Sequence, residues 1–110
     1  MRDADGYSDA ANSTAVGDEE LITVVVDGQH IVLTRRDGQP YAFTRWCPHA
    51  SGDLSQGAAY NGKVVCSEHN WVFDLTTGAI LYPDDEYGKL ACYPVREAAG
   101  RLWVKLPLKK

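Results

Sequence analysis

The chain has 110 residues, of which 45% are hydrophobic and 24% are charged, and its formal net charge is −4 at pH 7. This length and hydrophobic content predict one domain with a single core. The sequence lacks the roughly 20 consecutive apolar residues that cross a bilayer as a helix, and we expect no secretory signal because the first residues lack a basic flank followed by an apolar stretch. We therefore expect a cytoplasmic protein whose partners are neither membranes nor nucleic acids.

Residues 1–20 differ in composition from the rest of the chain. They carry one arginine against six acidic residues, a net charge of −5, whereas the remaining residues carry ten basic and nine acidic side chains. A polar segment with high net charge cannot bury enough apolar surface to stay ordered by itself. We predict a flexible acidic tail over residues 1–20 and a single domain over residues 21–107.

Short apolar runs broken by turn residues predict β-strands in the first half of this domain. Residues 21–26 and 30–34 flank the dipeptide Asp27-Gly28, which is a strong signal of a two-residue hairpin turn. A further strand over residues 41–43 leads the chain toward Cys47. These patterns predict antiparallel strands that deliver the chain to its first cysteine.

The second half of the domain repeats this alternation of apolar runs and turns. The sequence shows no sustained 3.6-residue apolar period bounded by helix caps, so we expect an all-β fold with little helix. The predicted strands are residues 63–65 after Asn61-Gly62, residues 71–75 and 79–82 around Thr77-Gly78, and residues 91–96 and 102–106 around residues 98–100.

Two Cys/His pairs hold two of the three cysteines and two of the three histidines, and the sixteen residues 50–65 separate them. Each pair offers one sulfur and one nitrogen ligand. A zinc site is possible, although structural zinc modules usually place both cysteines before both histidines. A disulfide between the cysteines would leave the histidines unexplained, and a thiolate activated by an imidazole needs only one pair. The pairs are Cys47-Pro48-His49 and Cys66-Ser67-Glu68-His69.

A [2Fe–2S] cluster uses all four side chains, since two thiolates can hold one iron while two imidazoles hold the other. The order Cys-x-His, a gap, then Cys-x-x-His resembles the pattern of Rieske-type ferredoxins and matches it in full. The resemblance covers about residues 21–107. It includes residues 71–78 after the second histidine, Pro83, and residues 93–95.

The resemblance implies a fold, a cofactor and a function. The fold is an antiparallel β sandwich or barrel base with a small inserted cluster-binding subdomain at about residues 46–85. Cys47 and Cys66 would hold one iron of the [2Fe–2S] cluster, and His49 and His69 the other. The protein would carry single electrons from a flavin-containing ferredoxin reductase to a terminal oxygenase, often one that attacks aromatic rings.

Cysteine usage and two substitutions refine this interpretation. Rieske proteins of respiratory complexes carry two further cysteines that join the ligand loops, and the corresponding stretches here contain none. The chain therefore resembles the soluble low-potential members, near the bottom of a range of about −150 to +300 mV. Ser67 and Asn70 stand where the family commonly has proline and glycine, which affects hydrogen bonds near the cluster.

We expect no catalytic site in this chain. The mononuclear iron of a Rieske oxygenase needs two histidines and a carboxylate. Once the four cluster ligands are assigned, His30 is the one histidine left in the sequence. Cys92 lies in an alternating apolar stretch, which favours a structural role. Two other functions stay open: a zinc-stabilised binding module, and the small Rieske-like subunit of an assimilatory nitrite reductase, which residues 69–71 and 83–86 resemble.

Overall fold

The computed structural model describes residues 6–46, 52–66, 71–82 and 90–106. In this part of the chain the secondary structure is almost entirely β, and none of these residues lies in an α-helix. Two 3₁₀ turns occur, Ser13–Ala15 and Leu54–Gln56. The strands are β1 (Tyr7–Asn12), β2 (Ile22–Val26), β3 (Gln29–Arg36), β4 (Gln39–Thr44), β5 (Ala58–Tyr60), β6 (Lys63–Val65), β7 (Val72–Asp74), β8 (Ile80–Tyr82), β9 (Cys92–Tyr93), β10 (Val95–Ala98) and β11 (Arg101–Lys105).

The strands form three antiparallel sheets. The orders are β2-β3-β4-β9, β1-β11-β10 and β5-β6-β7-β8. The first two sheets form the base, and the third is a meander inside the range predicted to bind the cluster. The all-β prediction is confirmed, and no helix in the described part is long and apolar enough to cross a membrane.

Two-residue turns join several neighbouring strands, as the sequence predicted. Asp27 and Gly28 between β2 and β3 both have positive φ, at 50° and 79°, and Asn61 and Gly62 between β5 and β6 have 50° and 75°. Two successive residues with positive φ form the hairpin turn that matches strand twist. These reversals come from the turn residues themselves, so the local sequence predicts them well.

Two apolar clusters form the core, and β3 contributes to both. Ile31 and Leu33 belong to the cluster within the base. Val32, on the opposite face of the strand, belongs to a second cluster with Phe43. The second cluster also contains residues of the third sheet and its flanks: Leu54, Val64, Cys66, Phe73 and Leu75. Because the same apolar contacts join the base to the third sheet, the two parts pack as one body.

The structure corrects the prediction of a flexible acidic tail for residues 7–20. β1 pairs with β11, with Tyr7 opposite Lys105 and Asn12 opposite Arg101. Ala11 and Val16 are buried in the base cluster. The acidic side chains bind partners in the body: Asp9 contacts Arg101, Asp18 accepts from the Gly38 amide, and Glu19 accepts from the Asn61 amide. The acidic side chains of this segment therefore help to hold it against the body. Residues 1–5 lie outside the described part.

The predicted C-terminal hairpin is confirmed for residues 95–98 and 101–105, which pair as β10 and β11. Cys92 and Tyr93 instead pair with β4 in the other base sheet. Pro94 separates the two short strands and has no amide hydrogen to donate to a ladder. The chain therefore changes sheets at Pro94, which the alternating apolar pattern did not indicate.

Candidate metal centre

Of the four predicted ligands, Cys66 lies in the described part of the chain. It follows the last residue of β6, is fully buried, and belongs to the second core cluster together with Val64 and Phe73. Cys47, His49 and His69 lie outside the described residues. Accordingly, no group of three or more possible metal ligands occurs among the residues that the structure describes.

The segment that contains Cys47 and His49 begins and ends at one short antiparallel contact. Trp46 and Asp53 form an isolated antiparallel bridge. The Leu54 amide donates to the Arg45 carbonyl at 2.7 Å, and the Arg45 amide donates to the His30 carbonyl at 3.3 Å. The first segment, defined as residues 47–51, therefore leaves and rejoins the body at adjacent points.

The segment that contains His69 is closed in a similar way. The Cys66 amide donates to the Trp71 carbonyl at 2.8 Å, and the last residue of β6, Val65, pairs with the first residue of β7, Val72. The second segment, defined as residues 67–70, therefore connects two neighbouring strand ends. Each of the two segments therefore begins and ends at residues that a backbone hydrogen bond joins, Arg45 with Leu54 for the first and Cys66 with Trp71 for the second.

One core holds the flanks of both segments. Leu54 is the third residue after the first segment, and Cys66 is the residue directly before the second segment. Both side chains are 0% exposed and lie in the same apolar cluster. Because interiors pack densely and yield little, this shared cluster fixes the positions of these two flanking residues relative to each other.

These residues fit an iron–sulfur ligand set. A thiolate is the form that binds iron, and Cys66 lies fully buried among the apolar side chains of the second core cluster. The surrounding apolar shell would restrict solvent at the sulfur. Cys66 and Cys47 would hold one iron, and His49 and His69 the other, in the Rieske arrangement.

The turn after β7 packs closely against Leu90 and Cys92. Asp74 Oδ1 accepts from the amides of Thr76 and Thr77 at 2.8 and 3.1 Å. A Cβ at Gly78 would lie 2.4 Å from the Leu90 carbonyl oxygen and 3.2 Å from Cys92 Sγ. A glycine with φ of 79° is therefore required there.

Aromatic and charged side chains lie beside the first segment. Trp46, which directly precedes Cys47, is 51% exposed, and the Arg45 guanidinium lies 4.9 Å from its ring centroid. His30 is also here, with its ring 6.4 Å from Trp46 and Nδ1 3.3 Å from Arg45 Nη1. Sequence reasoning assigned no role to these residues, because only the pairing of β3 with β4 brings His30 to this place.

Arg45 and Asp53 form an ion pair across the ends of the first segment. Asp53 Oδ2 accepts from Arg45 Nε at 2.9 Å and lies 2.8 Å from Nη2. The hydrogen bond from Arg45 lowers the pKa of Asp53 to about 2, with a further contribution from Ser55 and partial opposition from burial. The same contact raises the pKa of Arg45. The pair is therefore fully charged near neutral pH.

A sequence model of the Rieske [2Fe–2S] domain matches residues 7–94. The chain belongs to the Rieske [2Fe–2S] domain family. This match begins at the first residue of β1, which agrees with the docking of that strand on the body. A Rieske domain carries a [2Fe–2S] cluster that takes up and releases one electron, so this Rieske protein is an electron carrier.

A relative and a solved structure are similar to this chain along nearly their whole length. The ferredoxin component of the naphthalene 1,2-dioxygenase system of Pseudomonas aeruginosa is 26% identical, and the match covers 91% of this chain and 95% of the relative. A ferredoxin of Sphingomonas yanoikuyae B1 has the same fold, with a TM-score of 0.82, 22% identity, and coverage of 92% of this chain and 99% of that one.

A third match is a chain in a complex of reduced oxygenase and oxidised ferredoxin in carbazole 1,9a-dioxygenase. The TM-score is 0.77 and the identity is 20%, and the match covers 88% of this chain and 99% of that chain. At this identity the likeness shows the fold alone. Both solved structures therefore have the fold of this Rieske protein along nearly their whole length.

Proposed function

We propose that this Rieske protein is the ferredoxin of a multicomponent oxygenase system. It takes single electrons from a flavin-containing reductase and passes them to a terminal oxygenase that attacks an aromatic ring. The observation that carries this proposal is the match to a dioxygenase ferredoxin component along nearly the whole of both chains. We further propose that it works in the cytoplasm, where reduced thiols persist.

The ligands in this proposal are Cys47, His49, Cys66 and His69. The support from the structure is the closure of both segments and the shared burial of Leu54 and Cys66. A cluster held by segments with fixed ends changes little in geometry when its charge changes. Small reorganisation favours fast electron exchange during a brief encounter, which suits a carrier with two successive partners.

Charge is distributed unevenly over the chain in a way that supports transient binding. Residues 47–86 carry six acidic side chains and one lysine, whereas residues 87–110 carry six basic side chains and one glutamate. Opposite charge on a partner steers encounter and raises the association rate without requiring a large interface. We propose that the acidic cluster-binding part meets basic surfaces on the partners.

The test begins with protein purified without air. Iron, sulfide and zinc are quantified, and low-temperature EPR spectra are recorded before and after dithionite. We expect two irons, two sulfides and a reduced-state signal with the low average g-value of mixed Cys/His ligation. A colourless zinc-loaded protein would contradict the cluster assignment and favour a zinc-stabilised module.

The second step tests the partners by stopped-flow spectroscopy. The oxidised protein is mixed with NADH and a flavin-containing ferredoxin reductase of a naphthalene dioxygenase system, and the reduced protein is then mixed with the terminal oxygenase of that system. We expect reduction in the first reaction and reoxidation in the second. A protein with an intact cluster that exchanges electrons with neither, but copurifies with a nitrite reductase, would identify the alternative subunit function.

A further inference from the structure

The ion pair of Arg45 and Asp53 occupies a particular place relative to the predicted ligands. Arg45 lies two residues before Cys47, and Asp53 lies four residues after His49. Their side chains therefore join the two ends of the first segment, in addition to the bridge between Trp46 and Asp53. The segment is thus closed twice, once through its backbone and once through this pair of side chains.

The Asp53 carboxylate uses both oxygens in this contact. Oδ2 accepts from Arg45 Nε and lies 2.8 Å from Arg45 Nη2, and Oδ1 accepts from the Ser55 amide at 2.9 Å and the Ser55 hydroxyl at 2.6 Å. The Ser55 contacts cap the 3₁₀ turn Leu54–Gln56. Asp53 is thereby held from both sides, by the strand end at Arg45 and by the turn that follows.

Arg45 is likewise restrained by several contacts. Its backbone bonds to His30 and Leu54, and its guanidinium both binds Asp53 and packs over the ring of Trp46. Two guanidinium nitrogens, Nε and Nη2, both lie within 2.9 Å of the single oxygen Oδ2 of Asp53, a two-point contact that a single ammonium group does not offer. Trp46, the residue bonded to Cys47, is therefore held through the same side chain that holds Asp53.

We propose that Arg45 and Asp53 are positioning residues for the [2Fe–2S] cluster, which fix the ends of the first segment so that Cys47 and His49 keep one arrangement. The inference rests on the proposed ligand set. Outer groups that orient metal ligands typically change metal affinity by roughly 10- to 100-fold when removed. We expect the pair to affect retention of iron and uniformity of the site, without any contact to substrate.

The chain contains a matched control pair away from the ligands. Asp9 Oδ1 accepts from Arg101 Nε at 3.0 Å and from Nη2 at 2.8 Å. The equivalent two nitrogens of Arg45, Nε and Nη2, contact Asp53. The pair of Asp9 and Arg101 joins β1 to β11 in the base. Asp9→Asn and Asp53→Asn each remove one negative charge and one arginine–carboxylate pair. The amide that Asp53→Asn introduces keeps an oxygen that can accept from Ser55.

The experiment compares these variants with the wild type as cluster-loaded proteins. Iron release to an excess of chelator is followed by the loss of visible absorbance, and EPR spectra of the reduced proteins give g-values and linewidths. We expect Asp53→Asn to release iron roughly 10-fold faster and to broaden the EPR lines. Asp9→Asn should match the wild type in both measurements.

The outcomes separate the two proposals. Equal release rates and linewidths for Asp53→Asn and the wild type, or equal acceleration by Asp53→Asn and Asp9→Asn, would overturn the positioning role. A wild type with iron but without a mixed Cys/His signal would overturn the ligand set, and the positioning role with it. If Asp53→Asn does not fold, the same comparison of Arg45→Lys with Arg101→Lys decides the question, with faster release for Arg45→Lys expected.

Discussion

Arg35 in β3 and Glu97 in β10 form an ion pair that joins the two base sheets, with Nη2 2.7 Å from Oε2. The Arg35 side chain is only 11% exposed. The same guanidinium donates to the carbonyls of Ser13, Val16 and Gly38. The Arg35 side chain therefore contacts three parts of the chain at once: the residues after β1, the turn between β3 and β4, and β10.

Replacing Arg35 with methionine should lower the free energy of unfolding by about 2 kcal/mol, because carbonyl oxygens then lose their donors. Replacing Glu97 with glutamine should cost less, since the carbonyl contacts remain. Urea unfolding of the two variants measures both effects. Equal losses would show that the ion pair, and not the carbonyl contacts, carries the stabilisation.

Ala99 adopts a backbone conformation that a side chain disfavours. Its φ is 53° in the turn between β10 and β11, and this region costs an L-residue roughly 1–2 kcal/mol. We expect Ala99→Gly to raise the free energy of unfolding by about 0.5–1 kcal/mol after the entropy cost of glycine. Ala98→Gly, in β10, is the control and should be destabilising. Thermal unfolding that ranks these two variants in the opposite order would contradict the assignment of strain.

The Asp53 pair predicts a specific pH dependence of stability. The pKa of Asp53 is about 2 in the folded protein, against 3.8 as the ordinary value. A lowered folded-state pKa means that the stabilisation is complete above pH 3.8 and is lost as the pH falls toward 2. The difference in unfolding free energy between wild type and Asp53→Asn should stay constant from about pH 8 to about pH 5. A difference that already shrinks near neutral pH would point to another group.

Cys66 and Cys92 offer a direct test of the ligand assignment, since both contact the second core cluster. Cys66→Ser should lose the [2Fe–2S] cluster, because a serine hydroxyl is a harder and much less acidic ligand than the thiolate that iron–sulfur sites use. Cys92→Ser should keep two irons and an unchanged EPR signal, with only a loss of stability. Iron analysis and EPR of the two variants check this. A [2Fe–2S] cluster with an unchanged EPR signal in Cys66→Ser would remove Cys66 from the ligand set.

The charge distribution predicts salt-dependent electron transfer. If the acidic part of the chain meets basic partner surfaces, the second-order rate with the terminal oxygenase should fall as salt shortens the Debye length from about 10 Å at 0.1 M to about 3 Å at 1 M. Lys63→Glu, which adds acidic charge to β6, should raise the rate at low salt. Rates independent of salt would show that charge does not steer the encounter.

Some of the fold followed from local sequence. The pairs Asp27-Gly28 and Asn61-Gly62 form turns with positive φ in the structure, as predicted. Such turns depend on the conformational freedom of two residues and not on distant contacts. The order of cysteines and histidines likewise indicated the family, which the match over residues 7–94 confirmed. The individual ligand assignments of Cys47, His49, Cys66 and His69 stay predictions.

Other features depended on contacts between distant residues. The docking of β1 rests on Asp9 and Arg101, which lie 92 residues apart, and its polar composition alone predicted disorder. The sequence by itself determined the turns, the β-strand content and the Cys/His pattern, because these depend on neighbouring residues. The tertiary structure decided the docking of β1, the change of sheet at Pro94 and the joining of Arg45 to Asp53. These depend on which apolar faces are buried together, and only the packed core specifies that.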